Sequence, residues 1–243
     1  MVPVSREVLV IGMGPGGFGQ LTLDAVDAMN RVDVFLVADE EGSDLVWRRS
    51  ELIRRHVRHA HRIITVLDPA HQHPDDELDA ARLATYTQIL SGLPDGTVVG
   101  FLAWGDPALY DSILRVVDAL RGGMSLQVEV IPGVSALQVL AAAHQLALHG
   151  APVHLTTGAR LLAEYRPELG DVVVFDDAEL ACRGLATEFP DLEIFWGAYL
   201  GSEDEVLANG PLRDVIDEIA RLRAQLHDHH GWVHDTYLLR QPS

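Results

Sequence analysis

The sequence has no lysine, one cysteine and no apolar run approaching the roughly 20 residues needed to span a bilayer. Its 18 cationic side chains are therefore all arginine. They face 36 acids across 243 residues, for a formal net charge of −18. Total avoidance of lysine reads as genome composition rather than chemistry. The acidic balance excludes a nucleic-acid partner, because neutralising phosphates requires a basic face. Cys182 permits no internal disulfide and suits a reducing cytoplasm. Set in Glu-Leu-Ala-Cys-Arg, it reads as a buried structural thiol on a helix rather than a nucleophile. The opening residues lack a leader pattern: one arginine precedes an apolar stretch that Gly12, Gly14 and Pro15 break. A soluble, cytoplasmic protein without a membrane partner is expected.

Positive charge is concentrated in residues 48–62, where Arg48, Arg49, Arg54, Arg55, Arg58 and Arg62 face a single acid, Glu51. Histidine is also clustered, at His71 and His73 and again at His227, His229 and His230. Neither group has the fixed four-ligand spacing of a structural zinc site, so no metal is expected.

The apolar pattern alternates between strand and helix. Strands are expected at Glu7–Ile11, Asp33–Ala38, Ile63–Val66, Thr97–Ala103 and Leu126–Ile131. Helices are expected at Leu21–Asn30, Leu45–His59, Asp76–Leu90, Leu109–Arg121 and Ser135–Leu146. Apolar strands separated by helices argue for an α/β fold with a mostly parallel sheet covered on both faces. Residues 148–152 read as a linker. Beyond it come strands near Val153–Leu155, Val172–Phe175, Leu192–Trp196 and Trp232–Leu239, with a helix over Leu212–Leu226. The last strand is expected at an antiparallel edge. Two lobes follow, 1–148 and 149–243, the second with a mixed sheet.

The first strand runs into Gly12-Met-Gly-Pro-Gly-Gly17. Gly12, Gly14 and Gly17 fit a dinucleotide-binding loop, and the acids Asp39 and Glu40 follow at a suitable distance. Three features oppose a NAD(P) oxidoreductase. Pro15 lacks the backbone N–H that such a loop should offer. Phe18-Gly19-Gln20 separates the loop from the helical pattern, and Thr22 reads as the cap of a helix that starts after the loop has turned away.

Three motifs occur in order. They are Gly12-Met-Gly-Pro-Gly16 followed by Leu21-Thr-Leu-Asp-Ala25, then Trp104-Gly-Asp-Pro-Ala-Leu-Tyr110, then Val130-Ile-Pro-Gly-Val-Ser-Ala136. Together they resemble the tetrapyrrole methylases, and the resemblance covers most of the chain. Asp44–Arg49, Asp106–Arg115, Gly150–Gly158 and Phe195–Glu205 further resemble one branch of that family. Members of the branch methylate precorrin-5 at ring carbon 1 with hydrolytic loss of acetate. Where that branch carries a lysine after the second strand, this sequence has Glu40 and Glu41.

The resemblance implies a two-lobed fold with S-adenosylmethionine (SAM) bound in the cleft and S-adenosylhomocysteine (SAH) as product. Carried over by position, SAM would touch Pro15, Trp104, Gly105, Asp106, Leu109, Ser135 and Ala136 from the first stretch of chain. From the second it would touch Phe175, Asp176, Leu200, Gly201 and Ser202. The glycine loop, Gly14 included, would line the tetrapyrrole trough. Arg48 and Arg49 are the expected partners of the substrate carboxylates, since a guanidinium fork matches a carboxylate. Tyr110 and Tyr199 are candidates to orient the substrate. The hydrolytic step needs a base, and Asp39, Asp111, His144 and His154 are the candidates. Asp106 is an alternative helix cap. The family commonly dimerises, which admits a homodimer. Other family members act at other ring positions, and that alternative stands beside the first.

Overall fold

The computed structural model describes residues 5–39, 45–67, 80–109 and 111–242. The chain divides into two compact units. One is Met1–Gly14 with Phe18–Val134, and the other is Pro15–Gly17 with Ser135–Ser243.

The first unit is a five-stranded sheet in the order β3-β2-β4-β1-β5. Its strands are β1 (Arg6–Gly12), β2 (Val34–Asp39), β3 (Arg62–Leu67), β4 (Val99–Ala103) and β5 (Leu126–Ile131), and every pairing is parallel. Side chains alternate across β1. Leu9, Ile11 and Met13 face one core with Ala25, Ala28 and Met29 of α1 (Leu23–Met29) and with Leu52 and Ile53 of α2 (Leu45–His56). Val8 and Val10 face the other core, under α3 (Ala80–Gly92) and α4 (Ile113–Arg121). Covering both faces is what an all-parallel sheet of continuous apolar strands requires. The stripe of α4 buries Ile113, Val116, Val117 and Leu120 at helical spacing.

The second unit holds β6 (Val153–Thr157), β7 (Asp171–Phe175), β8 (Glu193–Ala198), β9 (Val206–Pro211) and β10 (Asp235–Arg240), in the order β6-β7-β10-β8-β9. Only β6 and β7 pair in parallel among these neighbours. Leu161 of α6 (Gly158–Glu164) and Leu212, Ile216 and Ile219 of α7 (Leu212–His230) cover one face. Leu140 of α5 (Ala136–Ala143) packs with Val173, Phe175, Leu200 and Leu238 on the other.

The structure differs from the sequence expectation at five points. The units divide at Val134–Ser135 rather than at 148–149, because α5 buries its apolar face against the second sheet. The last strand is antiparallel but central, between β7 and β8. Its run Thr236–Leu239 is buried throughout, which a central strand requires. Strand β9 lies where no strand was expected, over a segment that ends in the turn-type residues Asn209, Gly210 and Pro211. It is an edge strand, where a terminal proline costs no ladder bond. Helix α4 starts at Ile113 rather than Leu109, because residues 107–109 form a turn. Cys182 lies on a short 3-10 helix, Ala181–Leu185, rather than an α-helix. It is fully buried, and burial pushes its thiol up to about 12. No described helix is long and apolar enough to cross a membrane, and no three described His, Cys, Asp or Glu side chains gather as a metal site.

Candidate active site

Because β1, β4 and β5 run parallel, their following loops emerge at one edge of the first sheet. After β1 the chain moves towards β2, and after β4 it crosses to β5. Adjacent strands β1 and β4 thus flank the point where the winding reverses, which is where open α/β sheets hold ligands. The three sequence motifs meet at this edge. Gly14 and Gly105 form an antiparallel bridge, with the Gly14 N–H donating to the Gly105 carbonyl at 3.2 Å and the Gly105 N–H to the Gly14 carbonyl at 3.0 Å. Both occupy the left-handed region, at φ 79° and 65°, which glycine enters without steric cost. Gly12 and Gly133 touch backbone to backbone. A Cβ on Gly133 would lie 2.3 Å from the Gly105 carbonyl oxygen, and one on Gly12 2.5 Å from the Gly133 nitrogen. These two glycines are therefore demanded by packing between motifs.

Two carboxylates fasten the same edge. Asp106 accepts from the Ala108 N–H at 2.8 Å and from the Gly133 N–H at 3.0 Å. It ties the β4 loop to the β5 loop and does not cap α4. Asp111 accepts from the N–H groups of Trp104 and Ile113, both at 2.8 Å. Leu109 is exposed beside this turn, and Trp104 is half-buried. Tyr110 lies outside the described residues. The loop after β1 reaches a 3-10 turn at Phe18–Gln20 before α1 begins, and Thr22 caps that helix by accepting from the Ala25 N–H at 3.0 Å. The first helix starts well past the glycines and does not aim its N-terminus into the loop as a pyrophosphate cradle would.

In the second unit, Ser135 caps α5. Its hydroxyl accepts from the Gln138 N–H, and the Gln138 side chain accepts from the Ser135 N–H in a reciprocal capping box. Phe175 is buried at the end of β7, and the next residue, Asp176, is exposed with φ 48°. Asp177 anchors this turn from beneath. Its carboxylate accepts from the Ala181 N–H and in a short hydrogen bond from the Tyr237 hydroxyl. After β8, Tyr199 adopts φ 50° and is buried, with its hydroxyl donating to the Trp232 carbonyl at 2.8 Å. Leu200 is also core, whereas Gly201 is exposed and Ser202 half-buried. The Gly201 N–H donates to Glu205 at 2.6 Å.

The model of the tetrapyrrole (corrin/porphyrin) methylases matches residues 7–216. The chain belongs to this family. Among curated proteins, a Sinorhizobium precorrin-6A synthase (deacetylating) is 35% identical over 97% of this chain and 95% of that protein. The cobalt-precorrin-4 C(11)-methyltransferase of Methanocaldococcus jannaschii is 23% identical over 89% of this chain and 83% of its own length. Among solved structures, a cobalamin synthesis related protein of Corynebacterium diphtheriae superposes with a TM-score of 0.85 at 34% identity, covering 98% of this chain and 100% of that one.

Within this tetrapyrrole methylase, the remaining sequence candidates fall into different settings. Arg48 and Arg49 are buried, and Arg49 donates to the Ala38 carbonyl at 2.9 Å, tying α2 to the end of β2. The two expected carboxylate partners thus have little exposed surface, and Arg49 is engaged with backbone of the first unit. Further along α2, Arg54 and Arg55 both pair with Glu51 on the surface, and Arg55 lies 3.8 Å over the Phe18 ring. Tyr199 is a core residue of the methylase and its hydroxyl is engaged. His144 Nε2 is 3.0 Å from the Trp196 carbonyl, with its ring against Phe195. His154 lies 3.3 Å from Glu164, which also accepts from Thr156 and pairs with Arg160. Asp39 ends β2, at the edge of the first sheet that carries the glycine loops. Sequence reading missed the buried polar group around Asp177, Tyr237, Asp235, Trp196 and Arg223. These residues are scattered over 60 positions, and no local spacing marks them.

Proposed function

We propose that this methylase transfers a methyl group from SAM to ring carbon 1 of precorrin-5 and releases acetate, forming precorrin-6A in cobalamin biosynthesis. The carrying observation is the 35% identity, along 97% of the chain, to a precorrin-6A synthase (deacetylating). The residues at hand fit SAM by their chemistry. Asp106 and Asp176 offer carboxylate oxygens to a ligand amine or to ribose hydroxyls, and each oxygen of Asp106 keeps acceptor capacity beyond its one amide bond. Leu109 offers an exposed apolar surface, and the Trp104–Gly105 turn offers backbone. Pro15, Ala136, Phe175, Gly201 and the backbone at Leu200 and Ser202 complete the proposed set, with Ser135 contributing through α5 rather than through its hydroxyl. Bound there, SAM supplies an electrophilic methyl group.

Positioning is the main demand of methyl transfer, and a locked turn meets it. Hydrolysis of the acetyl group needs a base to take a proton from the attacking water. We assign that role to Asp39, the candidate that ends a strand at the ligand edge of the first sheet. Gly14 lines the tetrapyrrole trough in this reading. A cytoplasmic setting, which the single cysteine suits, and a homodimer, which the family resemblance admits, complete it.

Incubation with precorrin-5 and SAM should release one acetate per methyl transferred. Asp39→Asn should yield methylated product that retains its acetyl group. Methylation without acetate from the wild-type protein would move the chain to another ring position within the family. Calorimetry showing tighter binding of NADH than of SAH would overturn the methylase reading.

A further inference from the structure

The peptide group joining Ala103 to Trp104 is gripped at both ends. Its carbonyl accepts from the Met13 N–H at 3.0 Å, and its N–H donates to Asp111 Oδ2 at 2.8 Å. The next two peptides are held by Gly14, and Asp106 reaches across to the Gly133 N–H. Asp111 is thus the side chain that completes the immobilisation of the turn 104–106. Its other oxygen accepts from the N–H of Ile113, the first residue of α4. Ser112, at the cap position of that helix, makes no side-chain cap bond. One carboxylate therefore fastens the turn to a helix whose apolar stripe is anchored in the core.

Two facing amide N–H groups call for a group that accepts on both sides. An ionised aspartate does this. An asparagine turns its own N–H₂ towards one of the two amides. Each Asp111 oxygen accepts one amide hydrogen, so the two oxygens together hold backbone on both sides of the carboxylate.

We propose that Asp111 is a positioning residue for the cofactor-binding turn Trp104–Asp106 and not the base of the hydrolytic step. This rests on the reading above, in which that turn lies against SAM. The test compares wild type with Asp111→Asn by SAH calorimetry, thermal unfolding and acetate-to-methyl stoichiometry. The substitution should weaken SAH about tenfold or more. It should raise KM for SAM more than it lowers kcat, and keep one acetate per methyl. Unchanged SAH affinity with acetate loss would make Asp111 the base and overturn the proposal. Unchanged SAH affinity with only a lower melting temperature would reduce it to a fold contact and overturn it as well. If Asp111→Asn does not fold, Asp111→Glu, which keeps two acceptor oxygens on a longer arm, should bind SAH more weakly than wild type, and wild-type affinity there would count against the proposal. A wild-type protein that binds no SAH would overturn the underlying reading itself, and is seen before any variant is made.

Discussion

At the scale of single residues, the second unit concentrates its polar chemistry under the sheet. Asp235 opens β10 with its side chain almost wholly buried. It accepts from the Trp196 indole N–H at 2.7 Å and lies 2.8 Å from Arg223. Burial pushes it from the ordinary 3.8 up to about 6, although Arg223 and Trp196 oppose the shift and the nearby Asp177 adds to it. A folded-state value above the unfolded one means that the native protein holds this proton more tightly. Its stabilisation is complete below about pH 4 and is lost as pH rises through about 6. Two pH units of separation correspond to roughly 3 kcal/mol. Urea unfolding of wild type and Asp235→Asn at pH 4.5 and pH 7.5 should therefore show wild type gaining on the variant at the lower pH. Equal pH dependence in the two proteins would remove Asp235 as the cause. Arg49 makes a related point about burial. Buried and bonded to the Ala38 carbonyl, it ties α2 to β2, a backbone contact that the sequence, which offered it as a carboxylate partner, did not show.

At the scale of elements, α5 is the instructive case. Its sequence, Ala136–Ala143, is rich in alanine and ends at His144. The Ser135–Gln138 capping box satisfies N–H groups at its first turn. Ser135→Ala should cost about 1 kcal/mol of stability. Because the hydroxyl is engaged by Gln138, SAH affinity should change little when measured well below the melting temperature. A large loss of SAH affinity with no loss of stability would instead place the hydroxyl on the ligand. The helices were legible because α4 and α5 carry apolar side chains at helical spacing, and β1 and β4 because they are continuous apolar runs. Strand β9 was not legible. An exposed edge strand ending in Gly210 and Pro211 carries the same residue types as a turn, and only its pairing with β8 identifies it.

At the scale of the whole molecule, a ligand that binds only the folded form adds stability by mass action. SAH at 100 times its dissociation constant should add roughly 2.7 kcal/mol. For a chain of this size that corresponds to a rise in Tm of about 5–10 °C. Differential scanning calorimetry should show the rise with SAH and none with NADH. With two compact units present, the shift belongs to the transition of whichever unit the ligand holds, and a scan unmoved by SAH would count against SAM as cofactor.

The sequence by itself determined the α/β alternation, the parallel first sheet and the family. Each of these depends on local signals: apolar runs, helical spacing, and three glycine-bearing motifs in order. Tertiary structure alone decided why the motifs belong together. Gly12 and Gly133 are 121 positions apart, yet each fills the space that the other's Cβ would need. It also decided that α5 joins the second sheet, that β10 is central, and that the carboxylates of Asp106 and Asp111 bind backbone amides. A carboxylate looks the same in sequence whether it faces a ligand, a water or an amide. Which of these it meets is set by chain segments that local pattern does not bring into contact.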